Sequence, residues 1–251
     1  AKRRSWYGVV SFFCGRATSA VQLDHPIPNL YFPLWHQAIP ATVIQIDFTA
    51  EPHPSRNEPS MRIISGHARG TRLTPPPGTD VRPTMDRVKE AMFAMLEPLV
   101  DTVVVDLFAG TGALGLEALS RGAAEVYFVE LKRRNIRIIE KNLARVESAL
   151  PAAVSTRVFE ASVLRTPQLL PTLQPDLIFA DPPFHPDQDG NGVGGRELLA
   201  DKAFRTWVGK ALVIMEQPVT EPFPADIRAG WEFIRERNYG DVMLYILRHA
   251  G

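Results

Sequence analysis

The chain has 251 residues, an apolar fraction of 45% that suffices for one sizeable core, and 28 basic against 28 acidic side chains, a formal net charge of zero. That balance excludes a wholesale polyanion binder, so any nucleic-acid contact has to come from local basic patches. A single cysteine, Cys14, excludes a disulfide framework and fits a reducing compartment, expected to be the cytoplasm; no run has the length of a membrane-spanning helix.

Residues 1–60 read as a weakly structured extension. Lys2-Arg3-Arg4 before the apolar Trp6 to Phe13 faintly resembles a signal peptide, but the apolar core is short and interrupted by Gly8 and Ser11. Many prolines follow (Pro26, Pro28, Pro33, Pro40) with no sustained period; only Ala41 to Phe48 reads as a strand, and Glu51 to Ser60 reads as a linker.

From Met61, the first methionine of the chain, the character changes. Arg62-Ile63-Ile64-Ser65-Gly66 and Thr71-Arg72-Leu73 predict a small hairpin within a segment 61–81. It carries Arg62, Arg69 and Arg72 with no acid before Asp80, so it reads as an arm that contacts phosphates. Pro75-Pro76-Pro77-Gly78 is a stiff spacer, and Thr84 is a plausible N-cap for a helix that Pro98 ends. Residues 82–251 are expected to form the main domain.

Val103-Val104-Val105-Asp106 reads as a strand buried on both faces, and Gly110 to Gly115 allow a tight turn into a helix from Ala113 to Arg121. A strand ending at Glu130 follows. The spacing Gly110, Gly112, Gly115 with Glu130 about 20 residues on also fits a dinucleotide site. Asp106 shifts the balance, because a carboxylate beside the turn repels pyrophosphate but accepts hydrogen bonds from an ammonium group. S-adenosylmethionine carries that ammonium, and its ribose hydroxyls suit Glu130.

Helix 132–146 has Ile136, Ile139, Leu143 and Val146 as its expected buried stripe, and its Arg and Lys residues read as a solvated face. Strands at 156–160, 175–181 and 211–216 alternate with helices, which indicates a doubly wound, mostly parallel sheet. Ser162 follows the third strand at a position suited to touching an adenine ring. The tail, 231–238 and 242–247, predicts an antiparallel hairpin.

Asp181-Pro182-Pro183-Phe184 stands where the fourth strand emerges, at the edge where open α/β sheets bind ligands. The exocyclic amine of a nucleobase is a weak nucleophile because its lone pair is delocalised. The Asp181 carboxylate and the Pro182 carbonyl would accept its N–H bonds, and Phe184 would stack on the base. No metal is needed. Asp187 to Gly192 resembles the start of a calcium loop, but Leu198 stands where the closing glutamate belongs, so the stretch reads as a lid.

Together, Met61-Arg62-Ile63-Ile64-Ser65-Gly66, Arg82-Pro83-Thr84-Met85-Asp86-Arg87-Val88, the run Asp106 to Arg121 and Asp181-Pro182-Pro183-Phe184 resemble the RsmD family, over roughly residues 61–248. That family comprises bacterial methyltransferases of small-subunit (16S) ribosomal RNA that modify a guanine at N2. The resemblance implies the Rossmann-like class I fold of S-adenosylmethionine-dependent methyltransferases, with a mostly parallel seven-stranded sheet. It implies a cofactor set of Asp106, Phe108, Gly110, Gly112, Glu130, Leu131, Ser162 and Asp181. The acceptor would meet Asp181, Pro182 and Phe184, and RNA would meet Arg62, Arg69, Arg72, Arg82, Thr84 and Arg87. The 16S rRNA, or the 30S subunit being assembled, is the expected partner of a monomer. Met61 is the expected natural start, with residues 1–60 as translated upstream sequence or an expression remnant. An amino-methyltransferase acting on another nucleic acid, such as on DNA adenine, and a non-catalytic RNA-binding assembly factor stay open as alternatives.

Overall fold

The structure is a computed structural model that describes residues 61–75, 83–96, 98–183 and 192–251, and two strands near the amino terminus; for those strands and for 83–88 the backbone alone is described. The chain divides into two compact units, Ala1–Glu58 and Pro59–Gly251. In the first, β1 (Val9–Cys14) pairs antiparallel with β2 (Ala17–Gln22), where the sequence reading expected no strand. The signal overlooked is two short, largely apolar segments separated in the sequence by only Gly15-Arg16, a spacing that suits a hairpin. The strand expected at 41–48 lies outside the described residues.

The second unit opens with 61–75, then α1 (Pro83–Ala94), β3 (Val103–Leu107), α2 (Ala113–Ser120), β4 (Glu125–Glu130) and α3 (Arg133–Glu147). It continues with β5 (Ser155–Glu160), α4 (Thr166–Leu169), β6 (Leu177–Ala180), α5 (Gly195–Ala200), α6 (Lys202–Val208) and β7 (Leu212–Pro218). The short α7 (Ala225–Arg228) precedes β8 (Trp231–Tyr239) and β9 (Val242–His249). Seven strands form one sheet in the order β5-β4-β3-β6-β7-β9-β8. The run from β5 to β7 is parallel, and β9 joins β7 and β8 antiparallel.

Strand alternation divides the core. Val104, Val126, Phe128, Phe179 and Ile214 pack against α1, α2, α3 and the 61–73 segment. Val105, Leu107, Val129, Ile178, Ala180, Val213 and Met215 face the helices that follow β5. With both faces covered, the inner parallel strands β3, β4, β6 and β7 need apolar residues at most positions, which is why they read as near-continuous runs, whereas the edge strand β5 does not. The strand order reverses between β3 and β6, so their carboxyl ends flank the crevice where such sheets hold ligands.

The 61–75 segment closes on itself by a single bridge, Arg62 to Arg72. Its ladder stops there because its amides are used elsewhere. The Ile64 and Ser65 N–H groups donate to the Glu117 carboxylate at 2.8 and 2.9 Å, and the Ala68 N–H donates to Ser120 Oγ at 2.9 Å. Glu117 is fully buried, and Arg121 (2.9 Å) and Lys89 (3.4 Å) balance its charge. Gly66, at φ +79°, lies so close to the Ser120 carbonyl that a Cβ there would sit 1.8 Å from it. The segment is therefore fastened to the helix that follows the glycine turn.

On α3 the buried stripe differs from expectation at one place: Asn142 is fully buried, while Leu143 is partly exposed. Asn142 accepts from the Thr74 N–H (2.7 Å) and donates to the carbonyls of Thr74 (3.2 Å) and Thr111 (3.0 Å). A polar side chain sits in the core here because three backbone groups satisfy it.

Candidate active site

The turn between β3 and α2 bends through three left-handed residues, Phe108 (φ 56°), Gly110 (φ 57°) and Gly112 (φ 78°). Glycine adopts this conformation freely, whereas Phe108 does so at a cost of about 1–3 kcal/mol that the surrounding structure offsets. Glu130, at the end of β4, accepts from the Gly110 N–H (2.8 Å) and the Lys132 N–H (2.7 Å), which pins the turn to the neighbouring strand. Gly115 answers to packing: a Cβ would lie 2.4 Å from Phe128 Cε1 and 2.9 Å from Val126 Cγ1.

A cleft with about 520 Å³ of open space runs past this turn, lined by Phe108, Gly110, Glu130, Leu131, Val163 and Asp181 among others. Lys132, Asn135 and Pro183 complete its wall. Of the cofactor residues expected from sequence, Phe108, Gly110, Glu130, Leu131 and Asp181 line this cleft, while Asp106, Gly112 and Ser162 do not. Asp106 is only 2% exposed and lies beneath the turn, where it accepts from the Gly115 N–H at 2.9 Å. Gly112 shapes the turn without reaching the cleft. Ser162 is half-buried with its carbonyl accepting from the Arg165 N–H (2.9 Å), and the next residue, Val163, supplies the apolar surface instead.

The electrostatics favour a cation. Burial lifts the Asp106 carboxyl well above its usual range; the Gly115 hydrogen bond opposes this, and the charges of Asp181 and Glu130 add to it. Asp181 is open to solvent on its cleft side, yet the protein packed around the rest of it lifts its carboxyl to about 6. Carboxylates at Glu130 and Asp181, with Asp106 below, repel a pyrophosphate and suit a ligand carrying sulfonium and ammonium charges. Glu130 keeps lone pairs beyond the two used by amides, enough for ribose hydroxyls, and Leu131 and Val163 offer apolar surface to an adenine. These residues fit S-adenosylmethionine.

On the acceptor side, Asp181 follows directly on β6, Pro182 is buried and Pro183 lines the cleft. Phe184 lies outside the described residues, as do Arg82 and the side chains of Thr84 and Arg87. Arg62, Arg69 and Arg72 are all exposed on the 61–75 segment. Glu197, near the calcium-like stretch, accepts from the Gly194 N–H at 2.9 Å and so caps α5.

Sequence reading passed over one neighbour of the site, Glu216 on β7. Its signal is a repeated grammar: the apolar runs of β4, β6 and β7 each lead into an acid, at Glu130, Asp181 and Glu216. Burial, with the charge of Asp181 added, lifts Glu216 to about 8. Lys132, Asn135 and Val163 were not expected at the cleft either, because nothing in their local sequence marks them, while Pro183 was expected only as part of the Asp181-Pro182-Pro183-Phe184 turn.

Comparison with known proteins agrees with this geometry. Residues 61–248 match the family described as Conserved hypothetical protein 95. The chain is 35% identical over 185 residues to Ribosomal RNA small subunit methyltransferase D of Escherichia coli, spanning 72% of this chain and 86% of that one. It is 33% identical over 184 residues to the protein of the same name from Haemophilus influenzae, spanning 72% and 90%. Among solved structures, a putative methyltransferase from Escherichia coli, yhhF, superposes with a TM-score of 0.57 at 31% identity, over 76% of this chain and 98% of that one. The chain belongs to the ribosomal RNA small subunit methyltransferase D family.

Proposed function

We propose that this chain transfers a methyl group from S-adenosylmethionine to the exocyclic N2 of a guanine in 16S rRNA of the small ribosomal subunit. The observation that carries the reading is Asp181 at the switch point, followed by Pro182-Pro183 and exposed to the cleft beside the glycine turn. The names of the relatives support the rRNA substrate, and the resemblance supports the guanine.

When bound, S-adenosylmethionine supplies a methyl group already activated by its sulfonium. Glu130 orients the ribose, and the Phe108–Gly112 turn sets the position of the amino-acid end. Asp181 accepts one hydrogen of the target amine and the Pro182 carbonyl the other, which directs the nitrogen lone pair toward the methyl carbon. Asp181 then takes the proton that the nitrogen releases as it gains the methyl group. Phe184 stacks on the base. Residues 61–81 serve as the RNA-contacting arm through Arg62, Arg69 and Arg72, with Arg82, Thr84 and Arg87 beside it, and 82–251 as the catalytic domain. The enzyme works as a cytoplasmic monomer.

The test is methyl transfer from labelled S-adenosylmethionine to small subunits lacking the modification, to naked rRNA and to duplex DNA, with Asp181→Ala alongside. Label recovered as N2-methylguanosine, and lost in the variant, is the expected result. Label in adenine would replace the substrate; no label despite cofactor binding would leave an RNA-binding assembly factor.

A further inference from the structure

In the β6–β7 ladder the last registered pair is Ala180 with Met215, so Asp181 and Glu216 are the next residues on adjacent strands. Neighbouring strands lie about 4.8 Å apart, which sets the two carboxyl-bearing residues side by side. Alternation puts both on the face of Phe179 and Ile214, opposite the face of Ala180 and Met215. The cleft at the glycine turn lies on the β3 side of Asp181, and Glu216 lies on its other side, half-buried and registered with Leu244 of β9. A base that brought its amine to Asp181, with the methyl donor toward β3, would have the neighbouring Glu216 on the side away from the donor. Burial lifts both carboxyls, Asp181 to about 6 and Glu216, with the charge of Asp181 added, to about 8, so near neutrality the adjacent pair holds one proton, favoured at Glu216.

We propose that Glu216 is a specificity-determining residue that reads the lactam edge of the acceptor base, its acid O–H donating to O6 and its carbonyl accepting from N1–H. This rests on the guanine-N2 reading. Guanine presents O6, N1–H and the N2 amine in that order, so a neutral acid beside an ionised carboxylate matches the whole edge. Adenine also pairs with a carboxylic acid, through N6–H and N1, but that pairing leaves its amine at Glu216 and a C–H at Asp181. The two adjacent side chains thus select which base brings an amine to Asp181.

The test compares the full chain with Glu216→Gln and Glu216→Ala on rRNA carrying, at the methylated position, guanine or 2-aminopurine, which keeps the amine but lacks O6 and N1–H. A glutamine amide offers the same donor and acceptor as the neutral acid; alanine offers neither. With guanine, Glu216→Gln is expected to lose at most about tenfold in kcat/KM for the acceptor, and Glu216→Ala at least about a hundredfold. Cofactor affinity by calorimetry should move less than about threefold in both, within the reach of a remote substitution. With 2-aminopurine, wild type should fall to the level of Glu216→Ala. Undiminished discrimination against 2-aminopurine by Glu216→Ala would overturn the proposal, as would equal losses in Gln and Ala accompanied by lost cofactor binding. Methyl label on any atom other than guanine N2 in wild type would remove the underlying reading instead.

Discussion

The Gly115 N–H donates to the buried Asp106 carboxylate at 2.9 Å, which ties the first turn of α2 to the end of β3 beneath the cofactor cleft. Because burial raises this carboxyl, ionising it costs more in the folded chain than in the unfolded one. The stability it contributes is therefore full below its ordinary value of 3.8 and declines as pH rises above that. Asp106→Asn keeps an acceptor for Gly115 and removes the charge, so it should gain on wild type between about pH 4 and about pH 7. Urea denaturation of the cofactor-free chains at the two pH values measures this. Asp106→Ala leaves the amide unpaired and should cost about 1–3 kcal/mol at either pH.

In the proposed mechanism Asp181 takes the proton of the target amine, which requires it to be ionised. With its carboxyl lifted to about 6, single-turnover methyl transfer should fall about tenfold per pH unit below that value. Asp181→Asn should lower the rate and flatten this acid limb. An acid limb that persists in Asp181→Asn would assign the titration to another group.

Gly115→Ala places a methyl group 2.4 Å from the Phe128 ring, a clash that the rigid strand cannot relieve cheaply. A loss of about 1–3 kcal/mol is expected, seen as a lower melting temperature. The double variant with Phe128→Leu should recover part of it, since the obstructing ring atoms are gone. Failure of that recovery would place the strain in the backbone instead.

Glu117 is fully buried and accepts from two backbone amides and Arg121. Glu117→Ala removes the acceptor of both amides and the carboxylate that balances Arg121 and Lys89, and should cost about 3–5 kcal/mol. Chemical denaturation tests the magnitude, and faster proteolysis within 61–75 tests the location.

The elements legible in the sequence are those whose cause is local. Val103 to Asp106 and Leu177 to Asp181 announce buried strands by apolar runs, and the glycines announce the turn at the first of them. What escaped depends on partners far along the chain. Nothing near Glu117 shows that its acceptors will serve Ile64 and Ser65, more than 50 residues away. Asn142 looks like a solvated helix residue until Thr74 and Thr111 are brought to it. Glu216 gains meaning only when the β6–β7 register sets it beside Asp181. Asp106 was expected to touch the cofactor, but it lies buried beneath the turn, where it accepts from the Gly115 amide, a matter of angle rather than composition.

The fastening of 61–75 to Glu117 and Ser120 also decides how the proposed RNA contact of this segment can be dissected. A deletion of this segment would strip a buried carboxylate of its donors and unseat the helix behind the glycine turn, so any lost activity would report misfolding. The segment behaves as a keystone rather than a detachable module. Its surface charges are separable from that duty: Arg69 and Arg72 are exposed, and replacing them leaves the Glu117 and Ser120 bonds in place.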